Sequence, residues 1–476
     1  MIRNFIIILI ASLLVCPILL PGRAEACDVA VVSGKVTTNG RPILWKSRDC
    51  SANWHQELEY FPAINSRAGG CVMVHNYDDL AWINNGVREN PSGGLNEAGL
   101  AVSCTSVYED FNPYHEAINI NTDLIRETLQ ECATLDDFDT YLKNWYNNHA
   151  GMVISGNFVV IDAQGGAALY ECYTGQIAGQ IKYRKYDANT GRETDWDGTA
   201  ETVMTESREG EDDFNYFYNR ANNNSYININ FGEERAIRAN ELLNMLVDEG
   251  NMNYRTLMRV VTKDVTGNQL DPVTGTVLAE EEEDLGNYST TYCISRNQTR
   301  TALVVDGVKA GDNPALSVFY CALGEPSISV YTPYFAHAQA VSWLCHIDSM
   351  DLIGRLYDLN DTCFLNRAMN RREAYDNLIY KTNTGDVIQG MDNVCINKIE
   401  LAAAQEWTLP LEDFILDMTA EYIDDMRGKS SYITQANLAS FSDYCVEYLY
   451  ENYNAASADY YPWTMEKPWG SLNWGR

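Results

Sequence analysis

A chain of 476 residues that is 46% hydrophobic and 11% aromatic carries enough apolar material for a large core, so one large or two medium folded domains are expected and disorder is not. Its 34 Lys+Arg against 66 Asp+Glu give a net charge of −32, and no run of basic residues offsets it locally, which argues against nucleic-acid or anionic-lipid partners. Thirteen cysteines are too sparse for a small disulfide scaffold, and their meaning depends on the compartment.

Residues 1 to 26 set that compartment. Arg3 precedes an almost unbroken apolar run from Phe5 to Leu20, Pro21-Gly22 breaks it, and Ala24-Glu25-Ala26 supplies an A-x-A site, the three parts of a secretory signal. The apolar run is short for a membrane anchor, and no later stretch is long and apolar enough to span, so the mature chain is expected to be secreted or periplasmic, with no membrane span. Cleavage after Ala26 removes Arg3, Arg23 and Glu25, takes the net charge from −32 to −33, and makes Cys27 the new N-terminus. A terminal cysteine joins a thiol of pKa about 8.5 to an α-amine of about 7.7 to 8.0, so nucleophile and general base come from one residue. Cys27 could instead be a disulfide cysteine, or a lipidated one, although Glu25 fits a lipoprotein signal poorly.

The elements after Cys27 begin with a hairpin. Val29 to Val32 reads as a buried strand, Thr38-Asn39-Gly40 as the turn and Ile43 to Trp45 as the returning strand, which brings Lys46, Arg48 and Asp49 back beside Cys27. Asp49 can then hold the amine and a cation can favour the thiolate. Helical periodicity follows at Asn121 to Cys132, at Asp136 to Trp145 behind Thr134, and at Glu233 to Val247, where Ile237, Leu242, Met245 and Leu246 lie near one face. Residues 250 to 290 read as connection, with a solvated acidic stretch at Glu280 to Asp284. Further helices are expected at Arg367 to Tyr380, Val394 to Trp407, Leu411 to Met426 and Gln435 to Asn452, and Trp463, Trp469 and Trp474 could form an aromatic strap. The six histidines show no HExxH or paired metal spacing, and no metal or other cofactor is expected. Of the cysteines beyond Cys27, some are expected in disulfides, while Cys172 and Cys321 sit in apolar runs that suit buried thiols.

Four blocks, in order, give the chain a resemblance. The opening from Cys27 to Asp49 is followed by Gly93-Gly94-Leu95-Asn96-Glu97-Ala98-Gly99-Leu100-Ala101-Val102, then Gly156-Asn157 to Ala163 with Ala167 to Glu171, then Ile294-Ser295-Arg296, Asp306-Gly307-Val308, Asn313-Pro314 and Ala322-Leu323-Gly324. Together they resemble the cysteine N-terminal nucleophile (Ntn) hydrolases that act on linear amides: penicillin V acylases, choloylglycine hydrolases, penicillin acyltransferases and a related dipeptidase branch.

The resemblance implies an α+β fold, a four-layer αββα sandwich over residues 27–360, with a helical C-terminal extension over 361–476. It implies Cys27 as nucleophile and base and Asp49 as the carboxylate that orients the amine. The family's Arg-x-x-Asp arginine has Lys46 at its position, with Arg48 shifted two residues, so either cation could serve. The family's oxyanion asparagine has Thr205-Glu206 as its nearest match; an ionised carboxylate cannot donate, which leaves Asn96 or Asn157 as candidates. Arg220 is the candidate for a further active-site arginine. The implied activity is cleavage of a small-molecule amide through a Cys27 thioester, as an amidohydrolase or acyltransferase; the alternatives are a dipeptidase and a non-catalytic binding protein on the same scaffold.

Overall fold

The computed structural model describes residues 27–49, 56–76, 91–107, 116–118, 121–149, 152–173, 182–196, 215–222, 232–266, 287–289, 293–296, 299–345 and 395–460. The signal segment, the acidic stretch at 280–284, Thr205-Glu206, the helix expected at 367–380 and the tryptophans after Tyr460 lie outside these residues.

The chain opens with the expected hairpin, its strands β1 (Cys27–Val32) and β2 (Ile43–Asp49) joined by a turn in which Gly40 takes φ 71°, open to glycine at no steric cost. Strands β3 (Gln56–Phe61), β4 (Cys71–Asn76), β5 (Pro91–Asn96), β6 (Ala101–Ser106) and β7 (Glu116–Ile118) follow. Helices α1 (Asn121–Glu131) and α2 (Leu135–Asn148) come next, α2 starting on a capping box between Thr134 and Asp137. Then come β8 (Met152–Ile154), β9 (Gly156–Ile161), β10 (Ala167–Cys172), β11 (Tyr183–Asp187), β12 (Glu193–Asp195), β13 (Phe217–Arg220) and α3 (Glu233–Asp248). The remainder holds β14 (Asn287–Ser289), β15 (Thr299–Asp306), β16 (Val318–Leu323), β17 (Thr332–Tyr334), β18 (Cys395–Asn397), α4 (Lys398–Gly428) and α5 (Gln435–Tyr460).

Two large antiparallel sheets organise these strands. One runs β13-β1-β2-β15-β16-β17 and the other β12-β11-β10-β9-β6-β5-β4-β3. Val29, Val31, Leu44, Leu303 and Val305 of the first meet Leu58, Val72, Leu95, Val159 and Leu169 of the second in one apolar cluster, so the sheets are stacked. They approach closely at Gly93, where a Cβ would lie 2.8 Å from Leu303 Cδ2. The alternate residues of the first sheet, Ala30, Val32, Ile43 and Trp45, pack against Leu242, Leu243 and Leu246 of α3 and against Leu416 and Ile423 of α4. Those of the second, Val102, Phe158, Val160 and Tyr170, pack against Leu124, Leu129, Phe138 and Leu142 of α1 and α2. The fold is the α+β sandwich of two antiparallel sheets between helical layers, with a helical C-terminal part.

Three expectations are corrected. Helix α3 does not bury the face read from its apolar residues: Ile237 and Met245 are exposed, while Arg235, Ala239, Leu242, Leu243 and Leu246 are buried. The spacing of 235, 239, 242 and 246 is that of one helical face, and Arg235 selects it by pairing with Asp28 beneath. The connection after residue 250 contains one helical turn at Tyr254–Thr256 running into a π-helical turn at Leu257–Thr262, whose Leu257, Met258 and Val261 are core residues. The two helices expected at 394–407 and 411–426 are one, α4, with Pro410 inside it; burial of Ala404, Glu412, Ile415 and Leu416 on both sides of the proline holds the helix through the lost hydrogen bond.

Among the described residues, Cys71, Cys104, Cys132, Cys172, Cys293, Cys321, Cys345 and Cys445 are buried and form no disulfide with one another, and Cys172 and Cys321 are the buried thiols anticipated; Cys50 and Cys363 lie outside the described residues. Most of them sit inside the apolar clusters as small hydrophobes.

A buried ion pair clasps α4 to the sandwich. Lys263 Nζ donates to the carbonyls of Pro326 and Ser329 at 2.7 and 2.6 Å and lies 3.0 Å from Glu412 Oε2, both side chains being nearly inaccessible. Burial pushes the lysine pKa down, against the pull of Glu412. Glu412→Gln strands a buried ammonium and is expected to cost about 3 to 5 kcal/mol in urea denaturation, with much of the loss recovered in Lys263→Met/Glu412→Gln.

Candidate active site

Strand alternation sorts the charged residues around Cys27. Val29 and Val31 face the inter-sheet core and Ala30 and Val32 the helices, so Cys27 points between the sheets and Asp28 toward α3. On β2, Leu44 faces inward and Ile43 and Trp45 outward, which places Lys46 and Arg48 on the face of the thiol and Asp49 on the other. Cys27 stands directly opposite Arg48 in the β1–β2 register. It is 4% exposed and has no disulfide. Lys46 Nζ reaches across to the facing sheet and donates to the Cys104 carbonyl at 2.5 Å.

The backbone nitrogen of Cys27 is held by a residue the sequence reading missed. Its N–H donates to Asn222 Oδ1 at 2.9 Å; Arg235 Nη2 donates to the same oxygen at 3.0 Å, and Asn222 Nδ2 donates to the Ser106 carbonyl at 2.6 Å. Arg235 Nε in turn donates to both oxygens of Asp28, at 3.1 and 3.2 Å. Asp49, expected to orient the amine, is held by Arg296 Nε at 2.5 Å and Thr299 Oγ1 at 2.6 Å. Its side of the sheet is that of Asp28, and the two carboxylates with Arg235 and Arg296 form a buried charge cluster under the Cys27 end of β1.

The two asparagine candidates fall in different places. Asn96 lies on the helical face of its sheet: Nδ2 donates to the Leu129 and Cys132 carbonyls and Oδ1 accepts from Leu100 N–H, so it ties the end of α1 to the β5–β6 turn and does not reach Cys27 as expected. Asn157 lies on the inter-sheet face, where Nδ2 donates to Thr105 Oγ1 at 3.1 Å and to the Ala221 carbonyl at 3.3 Å, while Thr105 Oγ1 donates to the same carbonyl at 2.7 Å. Asn157 and Thr105 thus fix the residue before Asn222. Arg220, opposite Val29, extends between the sheets to pair with Glu171.

The missed residues carried weak sequence signals. Asn222 opens an Asn-rich run that reads as loop, Arg235 sits in an ordinary amphipathic helix, and Arg296, though inside a quoted block, has no local partner. Only tertiary pairing across distant positions gives them a place. Among the described residues no group of three His, Cys, Asp or Glu could hold a metal ion, and no helix is long and apolar enough to cross a membrane.

No family model and no curated protein matches the chain. Solved structures do. A penicillin V acylase from Agrobacterium tumefaciens matches at 14% identity and TM-score 0.34, covering 65% of this chain and 86% of its own. A mutant conjugated bile acid hydrolase from Clostridium perfringens matches at 12% identity and TM-score 0.30, covering 63% and 89%. A Caenorhabditis elegans ortholog of N-acylethanolamine-hydrolyzing acid amidase matches at 12% and 0.32, covering 59% and 92%. At these values the likenesses add nothing to the chemistry, which rests on the chain's own residues.

Asp28 gives the site a pH signature. Burial, only partly opposed by Arg235 and reinforced by Asp49, pushes its carboxyl up from 3.8 to about 6. A carboxyl whose folded pKa is raised binds its proton more tightly in the fold, so its contribution to stability is complete below 3.8 and is lost as pH rises through about 6. Asp28→Asn is expected to flatten that component: urea midpoints at pH 4 and pH 7 should shift toward pH 7 stability in the variant relative to the parent chain.

Proposed function

We propose that the chain is an exported cysteine amidohydrolase that acts on linear C–N amides, with Cys27 made N-terminal by cleavage after Ala26. The observation that carries this reading is the hold on the Cys27 nitrogen: Asn222 Oδ1 accepts its proton at 2.9 Å and is itself fixed by Arg235, at the residue that follows the A-x-A site. An ordinary strand residue needs no such side-chain clamp on its backbone nitrogen, whereas an α-amine serving as base must be oriented toward its thiol.

The chemistry follows from that placement. The Cys27 sulfur attacks the amide carbon as the α-amine takes the thiol proton; the tetrahedral adduct collapses, the C–N bond breaks and the leaving amine receives that proton. Water then attacks the thioester, releasing the acid and restoring the thiol, or a second amine takes the acyl group instead. Lys46 and Arg48, on the face of the thiol, favour the thiolate and the developing negative charge. Asn157 and Thr105 keep Ala221, and with it Asn222, in register with β1.

Intact-mass analysis of chain exported from its full-length gene is expected to begin at Cys27. Cys27→Ala should abolish amide turnover, and Cys27→Ser should keep the melting temperature while lowering kcat by about 10²-fold or more, since a hydroxyl is far harder to ionise. Asn222→Ala is expected to lower kcat and move the acid-side pKa of the pH–rate profile, because the amine that must be neutral to act as base loses its orienting acceptor.

A further inference from the structure

The charge of the inter-sheet face near Cys27 runs against that of the chain. The protein carries −32, yet Lys46, Arg48 and Arg220 project onto this face against Glu171, while Arg184, beside Glu171 across β10–β11, is paired with Asp195 at 2.9 Å. Arg220 is one strand over and two residues along from Cys27, which puts the two backbones about 5 Å apart across the sheet and about 7 Å apart along it.

Two of the three guanidinium nitrogens of Arg220 are engaged. Its Nε donates to Glu171 Oε1, its Nη1 donates to the Asn219 carbonyl at 2.8 Å, and its guanidinium lies 5.4 Å over the Tyr186 ring. Glu171 is fully buried and also accepts from the hydroxyls of Tyr173 and Tyr186, each at 2.7 Å, so the carboxylate that fixes the guanidinium is itself fixed. Nη2 meets no described residue at hydrogen-bonding distance, and the Arg220 side chain is 20% exposed where Glu171 is 0%. A planar cation, preorganised through Nε, partly exposed and with Nη2 meeting no described residue on the face of Cys27, is an arrangement suited to receive a carboxylate.

We propose that Arg220 is a specificity residue that binds a carboxylate carried by the amide substrate a few bonds from the scissile carbon, an inference that rests on the amide hydrolysis proposed above. The processed full chain is assayed on two matched pairs, glutaryl against pentanoyl p-nitroanilide for a carboxylate on the acyl side, and N-hexanoylglycine against N-hexanoylethylamine for one on the amine side. In at least one pair kcat/KM is expected to favour the carboxylate member by about tenfold, chiefly through KM. Arg220→Gln should collapse that ratio toward one and Arg220→Lys restore part of it. Because Gln at 220 leaves Glu171 buried without its cation, Glu171→Gln/Arg220→Gln, checked by thermal melting, should collapse the ratio in the same way. Turnover with equal or better rates on the neutral members, or equal losses on both members in the variants, overturns the carboxylate subsite and leaves amide hydrolysis standing. Turnover of none of the four overturns amide hydrolysis itself, and the subsite with it.

Discussion

At the Cys27 end of β1 and β2, the two-residue period of a β-strand separates groups that would otherwise work against each other. Cys27, Lys46 and Arg48 share the inter-sheet face, and Asp28 and Asp49 share the opposite one. A slip of one residue would bring a carboxylate beside the sulfur and raise the thiol pKa, while driving an ammonium into the apolar layer under α3. The register that prevents this is pinned at the far end of the hairpin. Val31 and Leu44 are fully buried on one face, Val32, Ile43 and Trp45 on the other, and Arg41 beyond the Gly40 turn is bonded to Asp306 of β15 at 3.0 Å. Apolar burial at the turn therefore decides the electrostatics around the Cys27 sulfur.

The opposite face carries an expense that packing alone does not explain. Asp28, Asp49, Arg235 and Arg296 are all nearly or completely buried, and buried pairs of this kind contribute little net stability compared with apolar residues of the same size. What they supply is position. Arg235 reaches Asp28 through Nε and Asn222 through Nη2, so a single guanidinium couples the rotation of α3 to the side chain that holds the Cys27 nitrogen. An apolar residue at 235 could fill the same volume and would leave Asn222 with one anchor fewer.

How much of this was legible in the sequence follows from the range of the interactions. The hairpin, α1, the Thr134 cap of α2 and the extent of α3 come from local pattern, in which each residue is read against neighbours a few positions away, and these appear as expected. The face of α3 was misread because a hydrophobic pattern gives no weight to a buried arginine whose partner lies 207 positions earlier. Asn96 and Asn157 look alike as sequence, each an asparagine in a glycine-containing block, yet strand alternation sends one to the end of α1 and the other to the inter-sheet face. Asn222, 195 positions from Cys27, becomes visible only once β13 is seen to pair with β1. The helices expected on the two sides of Pro410 run together as α4, because burial on both sides outweighs the hydrogen bond the proline removes.

The acidic composition and the cationic face beside Cys27 are compatible because they act at different ranges. Exposed carboxylates are separated by solvent and screened over a Debye length of about 8 Å at physiological salt, so together they repel an extended polyanion that must approach over a wide surface. A small anion between the sheets experiences chiefly the fixed groups within a few ångströms, in a setting where water screens them less. There Glu171 is already engaged by Arg220, Tyr173 and Tyr186, and Lys46 and Arg48 remain on the same face as Cys27. The local potential on the Cys27 face is therefore set by these fixed cations and not by the net charge of the chain, which is how one fold carries an acidic exterior and a basic interior face.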